Sequence, residues 1–386
     1  MDSVRQEQKV GHDRRVASVA VWDGSPPEAM PIRWSEVAPG VVAKQTLISV
    51  ELSNGDEVTP GVASLTYYVQ PGRAHDTGRF DAALGEWLGT AVLGLPFGSL
   101  EDSNPYDPGE SPLRAAIELA ILDALGRQTM LPAAAFLGGR TRGAIEAYAS
   151  LPSFAGPDAA VACAADAAAA GFRAVKFHAS GVVEADLETI GKARRTLGPG
   201  IRLMWDASCG YDLYSAVIVG RALARADFLW FEAPLTDDST EALRTLSTRV
   251  ALPLVPDGLV QRSAADWARD AREGIWGALR VDVTRAPGVA SALRIVRLAE
   301  ALGLPCEIQS FGFPSSQYAN LQLMLATRSC RFFEAPFPAA DFEDGVVDAP
   351  RFVDGFVLAP EAYGLGHGID VDRLAAHCTQ LSRVAL

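Results

Sequence analysis

The chain has 386 residues, of which 47 are Asp or Glu and 34 are Lys or Arg, so its formal net charge is −13. This charge argues against a nucleic-acid partner or an anionic membrane surface, and a hydrophobic fraction of 49% excludes long disorder. No apolar run reaches the roughly 18 residues that span a bilayer, and five scattered cysteines without a CxxC pair indicate a reduced, cytoplasmic protein.

The first third of the chain is predicted to be a mixed α+β unit. Residues 1–12 are polar and are expected to form a mobile tail, and residues 13–140 form the unit itself. RRVASVAVWD and KQTLISVELS are predicted strands, and the second ends at Asn54-Gly55-Asp56, a sequence typical of a hairpin turn. Residues 60–78 are predicted to be a loop. SPLRAAIELAILDALGRQ, which begins at Ser111, has apolar residues at helical spacing.

Residues 141–352 alternate regularly between short apolar strands and Ala- or Leu-rich helices. The eight predicted strands are AIEAYAS, FRAVKFHA, IRLMWDAS, FLWFEAP, LPLVPDG, GALRVDVT, LPCEIQSF and CRFFEAP. This alternation is typical of a (β/α)8 barrel. An open doubly wound sheet would normally have a Gly-rich phosphate turn after its first strand, and this chain has none there. Residues 353–386 are expected to return to the N-terminal unit. The predicted fold is therefore α/β: a modified TIM-type barrel with an N-terminal α+β capping domain that the C-terminal tail completes.

Carboxylates end three consecutive barrel strands, at the end of the barrel where the chemistry of such folds takes place. Asp206 ends the third strand, Glu232 the fourth and Asp257 the fifth. Three carboxylates at one barrel mouth would repel one another unless a cation neutralised them. All-oxygen ligation suits a hard divalent ion, so we predict a Mg²⁺ site. The alternative is three unrelated helix caps or loop carboxylates.

A lysine and a histidine lie two residues apart on the second barrel strand. Lys176 and His178 therefore point to the same face of that strand. If this face is the barrel interior, each cation disfavours charge on the other, which lowers a pKa and leaves a base near neutrality. The alternative is a surface pair on an edge strand.

The ordered set of strand-end motifs resembles the enolase superfamily, in the branch of mandelate racemase and muconate-lactonizing enzyme. VKFHA, MWDAS, WFEAPL, VPDG, VDVTRAPGV and FFEAPF occur in the family's strand order, and the closing APEAYGLGHGIDVD is similar as well. The resemblance implies a two-domain enzyme with one Mg²⁺ per subunit and a small-molecule carboxylate as substrate. Such an enzyme abstracts the proton α to the carboxylate and stabilises the enediolate on the metal. Loops around Trp22–Trp34 and Gly61–His75 would then set specificity.

The resemblance also assigns roles to individual side chains on the second to fifth strands. Asp206, Glu232 and Asp257 match the metal ligands. Lys176 matches the first lysine of the family's Lys-x-Lys motif on the second strand. His178 occupies the second position of that motif, which usually carries the base.

The last three barrel strands match the family less completely. Asp282 matches the sixth-strand Asp that partners a catalytic His in the racemase-like branch, and Glu334 matches the eighth-strand Glu that contacts the substrate carboxylate or enediolate. The seventh strand carries Gln309 where that His is expected, so the Asp-His dyad is broken. Either the site is one-sided, or Asp282 acts alone, or a capping-loop residue such as His75 replaces the missing His.

A one-sided site favours elimination or cycloisomerisation over racemisation by two opposed bases. In elimination, one group can serve first as a base and then as an acid. We therefore expect a metal-dependent lyase that dehydrates a sugar acid to a 2-keto-3-deoxy acid. Cycloisomerisation or racemisation/epimerisation on the same scaffold is the alternative. A non-catalytic binding protein of the same fold is an alternative of another class. We also expect a homo-oligomer.

Overall fold

The structure is a computed structural model that describes residues 14–23, 42–54, 57–69, 111–258, 262–286, 288–342 and 346–385. These residues form a four-stranded antiparallel sheet with a helix against it, followed by a barrel of eight strands. No helix in these ranges is both long and apolar enough to cross a bilayer. The predicted tail at 1–12 and the candidate residue His75 lie outside the described residues.

The sheet of the capping domain has its strands in the order β14-β1-β2-β3. Their bounds are Arg14–Asp23 for β1, Val42–Asn54 for β2, Glu57–Val69 for β3 and Thr379–Ala385 for β14. Asn54 pairs with Glu57, so β2 and β3 form the predicted hairpin, although its turn residues 55–56 lie outside the described ranges. The loop predicted at 60–78 is wrong for residues 60–69, which belong to β3.

Residues 60–69 form a strand because they pair antiparallel with β2 along their whole length. Helix α1 (Ser111–Thr129) packs closely against this sheet. A Cβ atom at Gly61 would lie 2.1 Å from a carbonyl oxygen of the helix, so glycine permits the contact. Asp123 on α1 is wholly buried, and it accepts hydrogen bonds from the backbone N–H groups of Val62 (2.9 Å) and Leu365 (2.8 Å). One carboxylate thus fastens the helix to the sheet and to the C-terminal segment.

The barrel strands follow the predicted order. Their bounds are Ala144–Ser153 (β4), Ala174–His178 (β5), Arg202–Asp206 (β6), Phe228–Glu232 (β7), Leu254–Val255 (β8), Leu279–Val281 (β9), Cys306–Ile308 (β10) and Phe332–Pro336 (β11). The helices between them are Pro157–Ala169 (α2), Val183–Leu197 (α3), Leu213–Arg225 (α4), Thr240–Arg249 (α5), Ala264–Arg272 (α6), Val289–Leu302 (α7) and Pro314–Leu325 (α8). Two short 3-10 helices span Ala133–Leu137 and Ala339–Phe342.

Backbone pairing runs around the barrel in two ladders. β11, β4, β5, β6, β7 and β8 pair side by side in the parallel sense, and β9 pairs with β10. Hydrogen bonds join the ladders: the N–H of Gly277 donates to the carbonyl of Leu254 (2.9 Å), and that of Cys306 donates to Ser329 (3.1 Å). The barrel is therefore closed, and the carboxyl ends of its strands meet at one mouth.

The lower part of the barrel interior is apolar. Tyr148, Met204, Trp230 and Phe332 are buried there together, and the rings of Tyr148 and Trp230 meet edge to face at 5.7 Å. Because side chains alternate along a strand, the next inward residue of each strand lies two positions further on. The resulting polar layer consists of Ser150, Lys176, Asp206, Glu232, Arg280 and Glu334.

Helix α8 has no exposed polar face. It lies between the barrel and the capping sheet, and nearly all of its residues are buried. Its polar side chains bond to the capping sheet: Gln45 Nε2 donates to Ser315 Oγ (2.7 Å), and Ser316 Oγ lies 2.8 Å from Thr66 Oγ1. These bonds hold the sheet above the last barrel strands.

The C-terminal segment contacts both domains. β12 (Phe352–Val353) and β13 (Phe356–Leu358) form a hairpin, and β13 pairs with β4 of the barrel. Helix α9 (Val371–His377) follows, and β14 pairs antiparallel with β1. The prediction that the tail completes the capping domain is confirmed by β14, whereas the first residues of the tail extend the barrel sheet.

Candidate active site

The polar layer is centred on the ammonium group of Lys176, which is 1% exposed. Its Nζ lies 2.6 Å from Glu334 Oε1, 2.9 Å from Glu232 Oε1 and 3.2 Å from Asp206 Oδ2. Burial alone would lower the pKa of Lys176, but Glu232 and Glu334 outweigh it and raise the pKa well above its ordinary value. The lowered pKa that was expected in the pair of Lys176 and His178 is therefore not found at Lys176, whose ammonium group these carboxylates stabilise as a cation.

Arg280 is a second buried cation in the same layer. Its Nη2 lies 3.0 Å from Glu232 Oε1 and 2.9 Å from Glu334 Oε2. Ser150 Oγ also donates to Glu334 Oε1 (3.0 Å). Burial would raise the pKa of Glu334, but Lys176 and Arg280 lower it to about 2. Glu334 is therefore a fixed anion at the strand end where the sequence places it.

His178 lies above Lys176 on β5, and both residues contact the same carboxylate oxygen, as the predicted common face requires. His178 Nε2 is 3.1 Å from Asp206 Oδ2, and its Nδ1 is 2.6 Å from the carbonyl oxygen of Leu151. A carbonyl can only accept, so Nδ1 carries a proton and Nε2 is the ring nitrogen that can gain or lose one. Burial would raise the pKa of Asp206, but Lys176 and His178 hold it well below its ordinary value.

Asp257 and Glu232, two of the candidate metal ligands, have carboxyl groups whose pKa values are raised. Burial, together with the charges of Asp206 and Asp237, raises the pKa of Asp257 to about 7. Burial also raises the pKa of Glu232 to about 8, with Arg280 opposing the shift and Asp206 adding to it. Both shifts have burial as their largest cause, and the negative charge of neighbouring carboxylates adds to it.

The donor set of Asp206, Glu232 and Asp257 fits a hard divalent cation. All three residues offer carboxylate oxygens at the ends of neighbouring strands, and a divalent cation would balance the excess of negative charge. Within the described ranges, no group of three or more His, Cys, Asp or Glu side chains is arranged closely enough to hold a metal ion. The ammonium of Lys176 lies between Asp206 and Glu232 instead. The ligand assignment stays a prediction that the charge balance favours.

Asp282 follows β9 on the same face as Arg280, and its carboxylate is fully engaged. Its Oδ1 accepts hydrogen bonds from the N–H (2.9 Å) and hydroxyl (2.7 Å) of Thr284 and from Asn320 Nδ2 (2.8 Å). Its Oδ2 lies 3.6 Å from Arg285 Nε. Three hydrogen bonds thus converge on Oδ1, and Arg285 is the charged group nearest to Oδ2.

Gln309 lies at the end of the neighbouring strand. Its backbone N–H donates to the carbonyl of Val281 (2.9 Å), and its Oε1 is buried and accepts no hydrogen bond from the described residues. The hydrogen bonds that Asp282 accepts in this part of the chain come from Thr284 and Asn320. The structure therefore places Asp282 and Gln309 on adjacent strand ends without joining them into a dyad.

The sequence interpretation missed several residues of the site. Arg280 could have been found, because it lies two residues before Asp282 and strand alternation puts both on one face. Asn320 could not, since it belongs to α8, which no sequence pattern revealed. Its Oδ1 accepts the backbone N–H of Val283 (2.9 Å), which directs its Nδ2 toward Asp282.

Comparisons with known proteins agree with this architecture of a capped barrel with polar strand ends. A family model described as "Enolase C-terminal domain-like" matches residues 159–374, which is more than half of the chain. The chain belongs to the enolase superfamily, in the mandelate racemase/muconate-lactonizing branch, as the resemblance of its motifs predicted.

Its curated relatives are enzymes that differ in reaction. The D-Ala-D/L-Ala epimerase of Cytophaga hutchinsonii is 27% identical over 296 residues, which cover 75% of this chain and 78% of the relative. The D-galactarolactone cycloisomerase of Agrobacterium fabrum is 27% identical over 282 residues, covering 67% of this chain and 72% of the relative. At these identities the relatives leave the particular reaction of this chain open.

Solved structures with this fold cover nearly the whole chain. A Pseudovibrio sp. protein classed with mandelate racemase and muconate lactonizing enzyme has a TM-score of 0.84 at 24% identity, covering 96% of this chain and 99% of its own. D-glucarate dehydratase from Agrobacterium tumefaciens, solved in complex with magnesium, has a TM-score of 0.77 at 23% identity, covering 96% and 100%. These likenesses establish the predicted fold.

Proposed function

We propose that the protein is a Mg²⁺-dependent lyase that removes the proton α to the carboxylate of a sugar acid and expels the β-hydroxyl group as water. The observation that carries this proposal is that His178 is placed to exchange a proton with a substrate, whereas Lys176 and Asp282 are held by several neighbouring groups. His178 Nε2 can gain or lose a proton, whereas Lys176 is fixed among three carboxylates and Asp282 Oδ1 accepts three hydrogen bonds. A single proton-transfer group suits elimination, since it can take a proton from Cα and return it to the leaving oxygen.

Lys176 and His178 have different roles in the proposed reaction. The ammonium of Lys176 stabilises the negative charge that develops on the substrate carboxylate as the α-proton leaves. His178 takes that proton, and its bond to the Leu151 carbonyl keeps the ring oriented with Nε2 as the reacting nitrogen. The Cα–H electrons form a Cα–Cβ double bond, the Cβ–O bond breaks, and His178 returns the proton so that water departs. The enol product then tautomerises to a 2-keto-3-deoxy acid.

Asp206, Glu232 and Asp257 are the residues that would hold Mg²⁺. The bound ion supplies positive charge beside the substrate carboxylate, which lowers the cost of removing the neighbouring proton. Arg280 Nη2 contacts both Glu232 and Glu334, so a single nitrogen holds these two side chains next to each other.

A library of aldonic and aldaric acids tests the proposed reaction. With Mg²⁺ present, the purified protein should convert at least one member to a 2-keto acid, detected as its semicarbazone. Chelation of the metal should stop the reaction. The His178→Ala protein, purified in the same way, is the control against a contaminating dehydratase and should give no product. Substrate consumption with inversion at Cα and no keto acid would contradict dehydration.

Cycloisomerisation is the second candidate, because a relative with 27% identity is D-galactarolactone cycloisomerase. The same arrangement around His178 could serve a lactone substrate, since the α-proton is removed in the same way. The library should therefore include the lactones of each acid. A rate that is higher with a lactone than with its open-chain acid would favour this second candidate.

A further inference from the structure

Asp237 is a wholly buried carboxylate outside the polar layer, in the loop between β7 and α5. Its Oδ1 accepts a hydrogen bond from the backbone N–H of Asp257 (3.0 Å), and its Oδ2 accepts one from the backbone N–H of Gly258 (3.0 Å). Both oxygens are thus used on two successive backbone groups at the end of β8. Those groups belong to the candidate metal ligand Asp257 and to the residue that follows it.

The turn that Asp237 holds has little room to move. Gly258 has a φ of +76°, and a Cβ atom there would lie 3.3 Å from Arg280, which packs against the turn from β9. On the other side, Arg262 Nη1 donates to the backbone carbonyl of Asp237 (3.0 Å) and its guanidinium also pairs with Asp270 on α6. The loops after β7 and β8 are therefore fastened to each other at Asp237.

We propose that Asp237 is a positioning residue for the metal centre, in that it fixes the backbone of Asp257 and thereby the direction of its carboxylate. The inference rests on the proposed function, because it requires Asp257 to be a metal ligand. An asparagine at 237 would keep one acceptor oxygen but turn an NH₂ group toward the second backbone N–H, so two donors would face each other. The turn would then shift, and Asp257 would lose its alignment with Asp206 and Glu232.

The test is the affinity of the full-length protein for Mg²⁺, measured by calorimetric titration. Asp237→Asn should weaken Mg²⁺ binding by about 10–100-fold, which is typical when a side chain that orients a metal ligand is changed. Asp238→Asn is the matched control, because Asp238 is the exposed neighbour in the same loop, and it should bind Mg²⁺ as the wild type does. Activity that Asp237→Asn loses at low Mg²⁺ should return as the Mg²⁺ concentration rises, which a general loss of structure would not give.

The outcomes separate this inference from the proposed function. Wild-type affinity in a folded Asp237→Asn protein would overturn the inference alone. A wild-type protein that binds no Mg²⁺ would overturn the metal centre and the inference with it. If Asp237→Asn does not fold, Asp237→Glu replaces it, since glutamate keeps both acceptor oxygens but displaces them by one methylene group. Unchanged Mg²⁺ affinity in a folded Asp237→Glu protein would also overturn the inference.

Discussion

Replacing Lys176 by methionine should lower the free energy of unfolding by about 3–5 kcal/mol and abolish turnover. The ammonium contacts Glu334, Glu232 and Asp206 within 3.2 Å at a position that is 1% exposed. Without it, Glu232 and Glu334 would share the positive charge of Arg280, and Asp206 would keep its contact with His178. An uncompensated buried charge costs far more than a buried ion pair gains, so the loss of stability should be large.

Lys192→Met is the matched control for this experiment. Lys192 pairs with Asp158, but its side chain is 37% exposed and that of Asp158 is 84% exposed. Water screens such a pair, so the substitution should change the free energy of unfolding by no more than about 0.5 kcal/mol. Urea unfolding followed by circular dichroism measures both variants. A loss below about 1 kcal/mol for Lys176→Met would mean that the three carboxylates do not depend on this lysine for charge balance.

Replacing His178 by alanine should reduce kcat by at least about 10²-fold, because general-base catalysis contributes that much or more. The protein should remain folded, since Lys176 and Arg280 still balance the buried carboxylates below the His178 position. The expected readout is the rate of keto-acid formation on the best substrate of the library, compared with the wild type at saturating Mg²⁺.

The control for His178→Ala is His377→Ala, which changes an exposed histidine on α9. It should leave kcat and KM at their wild-type values. A His178→Ala protein that keeps more than about a tenth of the wild-type kcat would contradict a base role for His178. The proton acceptor would then be another group at the carboxyl ends of the barrel strands.

The sequence predicted the barrel well because each of its strands has a simple local pattern. β1 coincides with the predicted segment RRVASVAVWD, and seven of the eight barrel strands lie within their predicted segments. The exception is β4, which continues to Ser153, three residues beyond AIEAYAS. The two-residue spacing of Lys176 and His178 placed both side chains on one inward face. These features depend on strand alternation and turn residues, which a sequence contains in full.

Features that depend on contacts between distant segments could not be predicted in the same way. Helix α8 is enclosed on all sides, so its sequence lacks the alternation of polar and apolar faces that marks a surface helix. One pKa in the pair of Lys176 and His178 was expected to be lowered by the neighbouring cation. The pKa of Lys176 is raised instead, since Glu232 and Glu334 reach it from strands further along the chain. Asp237 was missed because the groups it holds lie 20 and 21 residues away.

We expect proton transfer at Cα to take place on one face of the substrate, through His178. Cα exchange in deuterated water, followed by NMR for both Cα epimers of a substrate acid, tests this most directly. Exchange should occur from one epimer, be lost in His178→Ala and be kept in Asp282→Asn, because Asp282 is held by Thr284 and Asn320. Exchange from both epimers in the wild type, with loss of one in Asp282→Asn, would contradict one-sided proton transfer and identify Asp282 as a second base.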